Sequence, residues 1–354
     1  MKIAVYLLTD PNNIGDYLQQ FLTAKLLSMF QKDSEIYWII NHRKPPYSDN
    51  FPVRKHSFKD YITKYDLGVI CGHSTGIGTI SEFKRLYPRV LRSSKQCTIF
   101  PFTVERKIDD KSRAKLKKLL NGFSKVYARG SLTYEVLTND LGLENVDKAL
   151  DTAFALRIVY PEVRAKQNNC NPRIAVVPRK DTFGMNPQLY PLYLEKLKKS
   201  INFLVEKYNA TVDLVPFSYG YDRSDEVAAK DLYSSGVKVE NIRKLANYSI
   251  HDVYKLMAQY DYVITSRMHA AIMAMSAGIP SLMVFRKGAQ KVVDVLDYLG
   301  LDDEMLIFDL LSEESPMVKL DETMGNSQKL RQAIEHTISK KCIDTLKPLQ
   351  FHIC

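Results

Sequence analysis

The stretch Asp261–Phe285, DYVITSRMHAAIMAMSAGIPSLMVF, restricts the possible folds more than any other part of the chain. Tyr262, Val263 and Ile264 form a short apolar, β-branched run that predicts a strand. The chain then turns through Thr265-Ser266-Arg267-Met268-His269 and enters a small-residue helix, Ala270 to Ala277. Gly278 stops that helix, Pro280 prevents its continuation, and Leu282–Val284 predict the next strand. Ser266, Arg267 and His269 therefore fall where a strand ends and a helix begins. In an open α/β sheet ligands bind at such corners, because helix N-terminal N–H groups and their dipole favour an anion. Arg267 adds a permanent cation with a planar donor fork, and His269 adds a group that can act as acid or base near neutral pH. The plainer alternative is an N-cap serine with incidental basic neighbours.

The rest of the chain repeats this alternation. Ile3–Leu8, Ile36–Ile40, Leu67–Cys71, Cys97–Phe100 and Val126–Ala128 predict strands, with helices after Asp16 and over Lys111–Leu120 and Ser131–Asp140. Pro161–Pro172, almost wholly polar over Gln167–Asn171, reads as a linker. A second series follows: strands at Ile174–Val177 and Val212–Val215, and helices at Tyr190–Tyr208, Glu226–Tyr233, Ser249–Gln259, Lys291–Leu299 and Gln328–Lys340. Ser249 and Asp252 have capping-box spacing. The expected class is α/β with two Rossmann-like doubly wound halves, residues 1–165 and 172–320, and a helical tail, 321–354. At 354 residues two domains are the natural prior.

Composition narrows the function. The net charge of +10 fits nucleic acid, an anionic membrane surface or an anionic substrate. The densest basic runs, Lys111–Lys118 and Lys196–Lys199, read as solvated helix faces, and no zinc-finger, helix-turn-helix or aromatic RNA-binding pattern accompanies them. Nucleic acid is thus set aside. The five cysteines are dispersed and form no C-x-x-C pair, which argues against a disulfide scaffold or structural zinc and suits a reducing cytosol. The first residues, MKIAVYLLTDP, read as a strand rather than a secretory signal, so a cytoplasmic protein is expected.

The pattern S-x-R-x-H-A, then an apolar helix and A-G-I-P, resembles the signature of the polysaccharide pyruvyl transferases. Asn13-Ile14-Gly15-Asp16 is similar to that family's N-x-G-D opening, and Asp151-Thr152-Ala153-Phe154 to its D-x-A-F segment. Tyr127-Ala128-Arg129-Gly130 resembles its strand followed by R-[DE], with Gly130 in place of the acid. Cys71–Gly76 departs from a run of glycines, which leaves His73 and Ser74 to contact ligand. The resemblance implies a glycosyltransferase-B-like layout with the site in the cleft between halves. It implies phosphoenolpyruvate as donor, a sugar acceptor (in a surface polysaccharide or a lipid-linked precursor), and no metal or cofactor; the net charge of +10 adds an expected peripheral contact with an anionic membrane at its inner face.

The chemistry is anion binding plus proton delivery to the vinyl carbon. Arg267 suits the anion clamp and His269 the general acid. Arg129 and Arg179 each follow a strand, as cleft cations or as surface salt-bridge partners. His73 reads as a second acid–base group, an acceptor ligand or a simple turn residue, Asp16 as a hydroxyl-orienting group or a helix cap. Phe217, Tyr219 and Tyr221 read as sugar-stacking or packing aromatics. Two other functions fit such a fold: a nucleotide-sugar glycosyltransferase, for which no ribose-binding acid follows the Arg-x-His corner, and a non-catalytic sugar- or anion-binding protein.

Overall fold

The computed structural model describes residues 1–6, 12–40, 49, 54–57, 64–72, 74–75, 80–106, 108–165, 171–181, 188–222, 224–285, 289–301, 306–309, 311–312 and 315–350. The first half runs β1 (Lys2–Tyr6), α1 (Ile14–Phe30), β2 (Glu35–Ile40), β3 (Arg54–Ser57), β4 (Tyr65–Ile70), β5 (Ser74–Thr75), α2 (Ile80–Ser93), β6 (Ser94–Val104), α3 (Asp110–Leu120), β7 (Lys125–Ala128), α4 (Ser131–Glu135) and β8 (Val146–Lys148). After α5 (Leu156–Val159) the second half runs β9 (Arg173–Val177), α6 (Leu189–Tyr208), β10 (Thr211–Leu214), α7 (Asp225–Ser234), β11 (Asn241–Ile242), α8 (Ile250–Met257), β12 (Tyr262–Thr265), α9 (Met268–Ser276), β13 (Ser281–Phe285), α10 (Gln290–Leu299) and β14 (Ile307–Asp309).

Both sheets are parallel, as the alternation requires. The first has the order β3-β2-β1-β4-β6-β7-β8 with β5 beside β6; the second is β11-β10-β9-β12-β13-β14. In each, the chain works outward from one strand, then returns to build on its other side. The order reverses between β1 and β4 and between β9 and β12, and such switch points open a crevice at the carboxyl ends of the strands. Pairing of Val177 with Thr265 sets the exit of β9 beside that of β12. Pairing of Tyr6 with Ile70 does the same for β1 and β4.

Alternation along the strands builds three apolar clusters. Ala4 and Tyr6 face a cluster confined to the first half, and Ile174 and Val176 one confined to the second. Ile3, Val5, Ala175 and Val177 face a third cluster, continuous through α1, α5, α8 and α9, that joins the halves. At its centre α9 is apolar on every side, as a helix packed all round must be; within it only His269 is not buried. The helix ends at Gly278, whose φ of +83° is the left-handed conformation expected of a helix-stop glycine.

Beyond β14, helices Pro316–Gly325 and Ser327–Lys341 lead back across the molecule. Glu335 on the latter pairs with Arg157 of α5. Differences from the expected elements are small. β6 spans eleven residues, with its pairing to β7 shifting register between Ile99 and Phe102, around Pro101. A proline there removes a ladder donor at a point where the ladder is already interrupted. The helix expected over 131–140 changes at Val136 to a π-helical turn. Short β3, β8 and β11 lack the apolar runs that would mark them, and β14 is only three residues long.

Candidate active site

The site forms where the two switch points face one another. After β12, Thr265 Oγ1 accepts from the Arg267 N–H, fixing the corner. His269 then occupies the first turn of α9. Its ring lies against the backbone of Gly15 in the first turn of α1, so closely that a Cβ at residue 15 would come within 2.3 Å of the His269 Nδ1. Only glycine permits this approach of the two helix N-termini. The imidazole Nε2 is 3.7 Å from Asp151 Oδ2.

Asp151 is fully buried and belongs to the first half. It accepts from the Ala153 N–H at 2.8 Å and from Gln19 Nε2, and it pairs with Arg129 Nε at 2.9 Å. Burial by itself would raise its pKa, but the Arg129 charge, His269 and the Ala153 N–H outweigh it and hold the carboxyl well below the ordinary range. Asp151 therefore stays ionised beside the imidazole. Arg129, also buried, reaches the Pro101 carbonyl with Nη2 at 3.4 Å and lies by Met268 Sδ.

Arg267, expected as the anion clamp, is engaged by carboxylates of the protein. Its Nε and Nη2 donate to the buried Asp225 at 2.8 and 2.6 Å, Nη2 also reaches Ser218 Oγ at 3.2 Å, and Nη1 lies 3.0 Å from Asp181. With two carboxylates around it, Arg267 brings little net positive charge to an incoming anion. Burial alone would depress the guanidinium pKa, but Asp225 and Asp181 reverse this and raise it. Ser266 is turned into the second half, where its hydroxyl meets that of Tyr193 at 3.0 Å. Arg179 leaves β9 at the neighbouring position, only part-buried, and pairs with Asp181. Asp16 follows Gly15 in the first turn of α1. His73 lies outside the described residues. Phe217 and Tyr219 are buried; Tyr219 donates to the Pro216 carbonyl and accepts from the Leu245 N–H, so both are packing residues.

Lys291, in the first turn of α10, was not among the expected site residues. Desolvation, followed by the positive charges of Arg179, Arg267 and Arg129, pushes its pKa down to about 7, with Asp16 acting in the opposite sense. Those five groups thus lie near one another. The three arginines are each paired with a protein carboxylate, yet their charges still disfavour the ammonium of Lys291, and an anion beside it would favour that form. The sequence signal for Lys291 was its position just after a strand exit, at a helix start; the D-x-A-F segment likewise pointed to Asp151. No group of three or more His, Cys, Asp or Glu able to hold a metal ion occurs among the described residues.

Solved structures resemble the whole chain. S. aureus MnaA with UDP has a TM-score of 0.64 at 10% identity, with 98% of this chain and 94% of that one covered. Anabaena Alr3699/HepE with UDP and glucose gives 0.57 at 12%, covering 100% and 99%. The UDP-GlcNAc 2-epimerase of Neisseria meningitidis, bound to UDP-GlcNAc, gives 0.57 at 11%, covering 99% of each. These likenesses establish the glycosyltransferase-B-like architecture of two facing Rossmann-like halves. A search of curated proteins found no match. The sequence model of the polysaccharide pyruvyl transferases matches residues 13–285, a span that contains the Gly15–His269 contact, Asp151, Arg129 and Arg267, and the chain belongs to that family.

Proposed function

We propose that the protein transfers a pyruvyl group from phosphoenolpyruvate to two hydroxyls of a sugar, in a surface polysaccharide or its lipid-linked precursor, forming a ketal. The observation that carries this reading is the meeting of His269 with the buried Asp151 beside the cationic group Arg129, Arg179 and Lys291. Phosphoenolpyruvate bears a phosphate and a carboxylate, and such anions are met by arginine forks, ammonium groups and helix N-termini.

In the proposed reaction His269 protonates the vinyl CH₂ carbon, which leaves the neighbouring carbon electrophilic. One sugar hydroxyl attacks that carbon and gives up its proton, which replaces the one lost by His269. The second hydroxyl attacks as the C–O bond to phosphate breaks, and its proton leaves with the phosphate. Asp151 stabilises the imidazolium form that acts as the acid. Arg129, Arg179 and Lys291 hold the donor's charges and favour the departing phosphate. The chemistry is complete without a metal. We further propose that the net positive charge brings the protein to the inner face of an anionic membrane, where a lipid-linked acceptor resides.

His269→Asn keeps the size of the side chain and a hydrogen-bond donor but delivers no proton at neutral pH. Phosphate release from phosphoenolpyruvate in the presence of a panel of glycosides should fall by roughly 10²–10⁴-fold in this variant, with little loss of donor affinity. A folded variant with near-normal turnover would remove His269 from the mechanism.

A further inference from the structure

Lys291 is carried by α10 of the second half, yet polar side chains on either side of it, Gln290 and Asp294, bond to the first half. The Gln290 side-chain amide spans two backbone groups at the end of β6: its Nε2 donates to the Val104 carbonyl at 2.7 Å and its Oε1 accepts from the Arg106 N–H at 2.9 Å. One turn on, Asp294 is fully buried. Its carboxylate accepts from the Leu132 N–H at 2.8 Å, the Thr133 N–H at 3.2 Å and the Thr133 hydroxyl at 2.5 Å. These donors are in the first turn of α4, whose own N-cap, Gly130, has no side chain to offer. A carboxylate from the opposite half thus caps α4, the usual partner for the orphan N–H groups and positive dipole end of a helix.

The geometry leaves no slack. A Cβ at Gly130 would lie 2.2 Å from the Asp294 carbonyl oxygen and 2.3 Å from its Oδ1. The φ of Gly130, −164°, is open to any residue, so close contact is what a side chain there would violate. Gly130 directly follows Arg129, and Lys291 lies between Gln290 and Asp294 on α10. The same contacts therefore fix the separation of the Arg129 and Lys291 cations.

We propose that Asp294 and Gln290 are positioning residues: they tie α10 to the first half and so set Lys291 against Arg129 in the anion pocket, making that pocket a property of the closed pair of halves. The proposal rests on the reading of the cleft as an anion site, but not on the identity of the donor.

The test uses the full-length protein and inorganic phosphate as probe, with binding followed by calorimetry and folding by thermal unfolding. Lys291→Met should weaken phosphate binding, and Asp294→Ala should weaken it to a similar degree, by roughly tenfold or more. The double variant should be no weaker than either alone, since both remove the same ammonium from the pocket. Gly130→Ala, which wedges the contact without straining the backbone, should do likewise, whereas Thr133→Ser, which keeps the hydroxyl, should bind normally. A ligand-free readout accompanies these: the pH midpoint of Lys291 labelling by an amine-reactive reagent, read by mass spectrometry, should rise in Asp294→Ala by roughly one unit or more toward the ordinary lysine value. An unchanged midpoint in folded Asp294→Ala and Gly130→Ala proteins, or additive losses in the double variant, would overturn the proposal. If wild-type protein bound no phosphate but the midpoint shifted, the positioning role would stand and the anion reading would fall. Phosphate binding without turnover of phosphoenolpyruvate would remove only the assigned donor.

Discussion

At the scale of single residues, the site separates into groups that hold the protein together and groups left available to a ligand. Arg267 belongs with the first. Its pairing with Asp225 is buried, and removing one member of such a pair strands a charge without water. Arg267→Met should therefore cost about 3–5 kcal/mol in urea unfolding, and a variant of near-normal stability would return Arg267 to the role of ligand clamp. Lys291 belongs with the second. With its pKa near 7 it is largely neutral above that pH in the free protein, whereas an anion binds best to the ammonium. Anion binding should take up a proton, and affinity should fall as pH rises from about 7 toward the ordinary lysine value of about 10.4. In the same window the unfolded chain holds one more proton than the folded one, so stability should rise with pH. Calorimetry in buffers of different ionisation enthalpy measures the uptake, and Lys291→Met should abolish it; equal uptake by that variant would assign the proton elsewhere. His269 and Arg267 were legible in sequence because they stand beside an unmistakable strand-to-helix corner. Their division of labour was not, because the carboxylates that engage Arg267 lie 42 and 86 residues away along the chain, on α7 and after β9. Sequence spacing carries no trace of such contacts.

At the scale of elements, the parts that sequence resolves best are those with a strong period and a marked end. Ser249 and Asp252 form the capping box that their spacing announces, and Gly278 ends α9. What sequence does not convey is which element meets which. The first turns of α1 and α9 come from opposite halves and meet at Gly15 and His269, and nothing local to either segment requires it. Gly15→Ala probes that junction. Alanine is the better helix former, but its Cβ would overpack the contact, so a net loss of about 1–3 kcal/mol is expected in a protein that still folds. The methyl group would nevertheless displace the imidazole, and a misplacement of this kind costs turnover by about 10²-fold. Steady-state kinetics on a folded Gly15→Ala protein checks this, and undiminished turnover would show that the ring position relative to α1 is immaterial. Short strands such as β11 and β14 escape sequence reading for another reason: two or three residues contain no period, and their pairing is decided by the neighbouring strands.

At the scale of the molecule, the two doubly wound halves were readable from the alternation of elements, whereas the way the halves are joined was not. One apolar cluster passes through α1, α5 and α9, and the helix Ser327–Lys341 returns to pair with α5, so neither half buries all its apolar surface alone. The charge of +10 also acts at this scale. Among the described residues no helix is long and apolar enough to cross a membrane, and contact with lipid would be electrostatic. Co-sedimentation with anionic vesicles should be measurable at low ionic strength and should fall with added salt, as expected for exposed cations beyond a Debye length of about 10 Å at 0.1 M. No binding at low salt would leave the positive charge to substrate capture alone.

In the proposed reaction the protein adds a proton to the vinyl carbon of phosphoenolpyruvate and transfers the resulting pyruvyl group to a sugar. The most direct measurement is product analysis after incubating the protein with phosphoenolpyruvate and a glycoside in D₂O, by mass spectrometry and NMR of the sugar alongside phosphate release. Pyruvyl transfer should release one phosphate per ketal formed and leave a ketal methyl group that carries a single deuterium. An unaltered glycoside, with phosphate release absent or independent of the sugar, or a glycoside extended only when a nucleotide sugar is supplied, would contradict it.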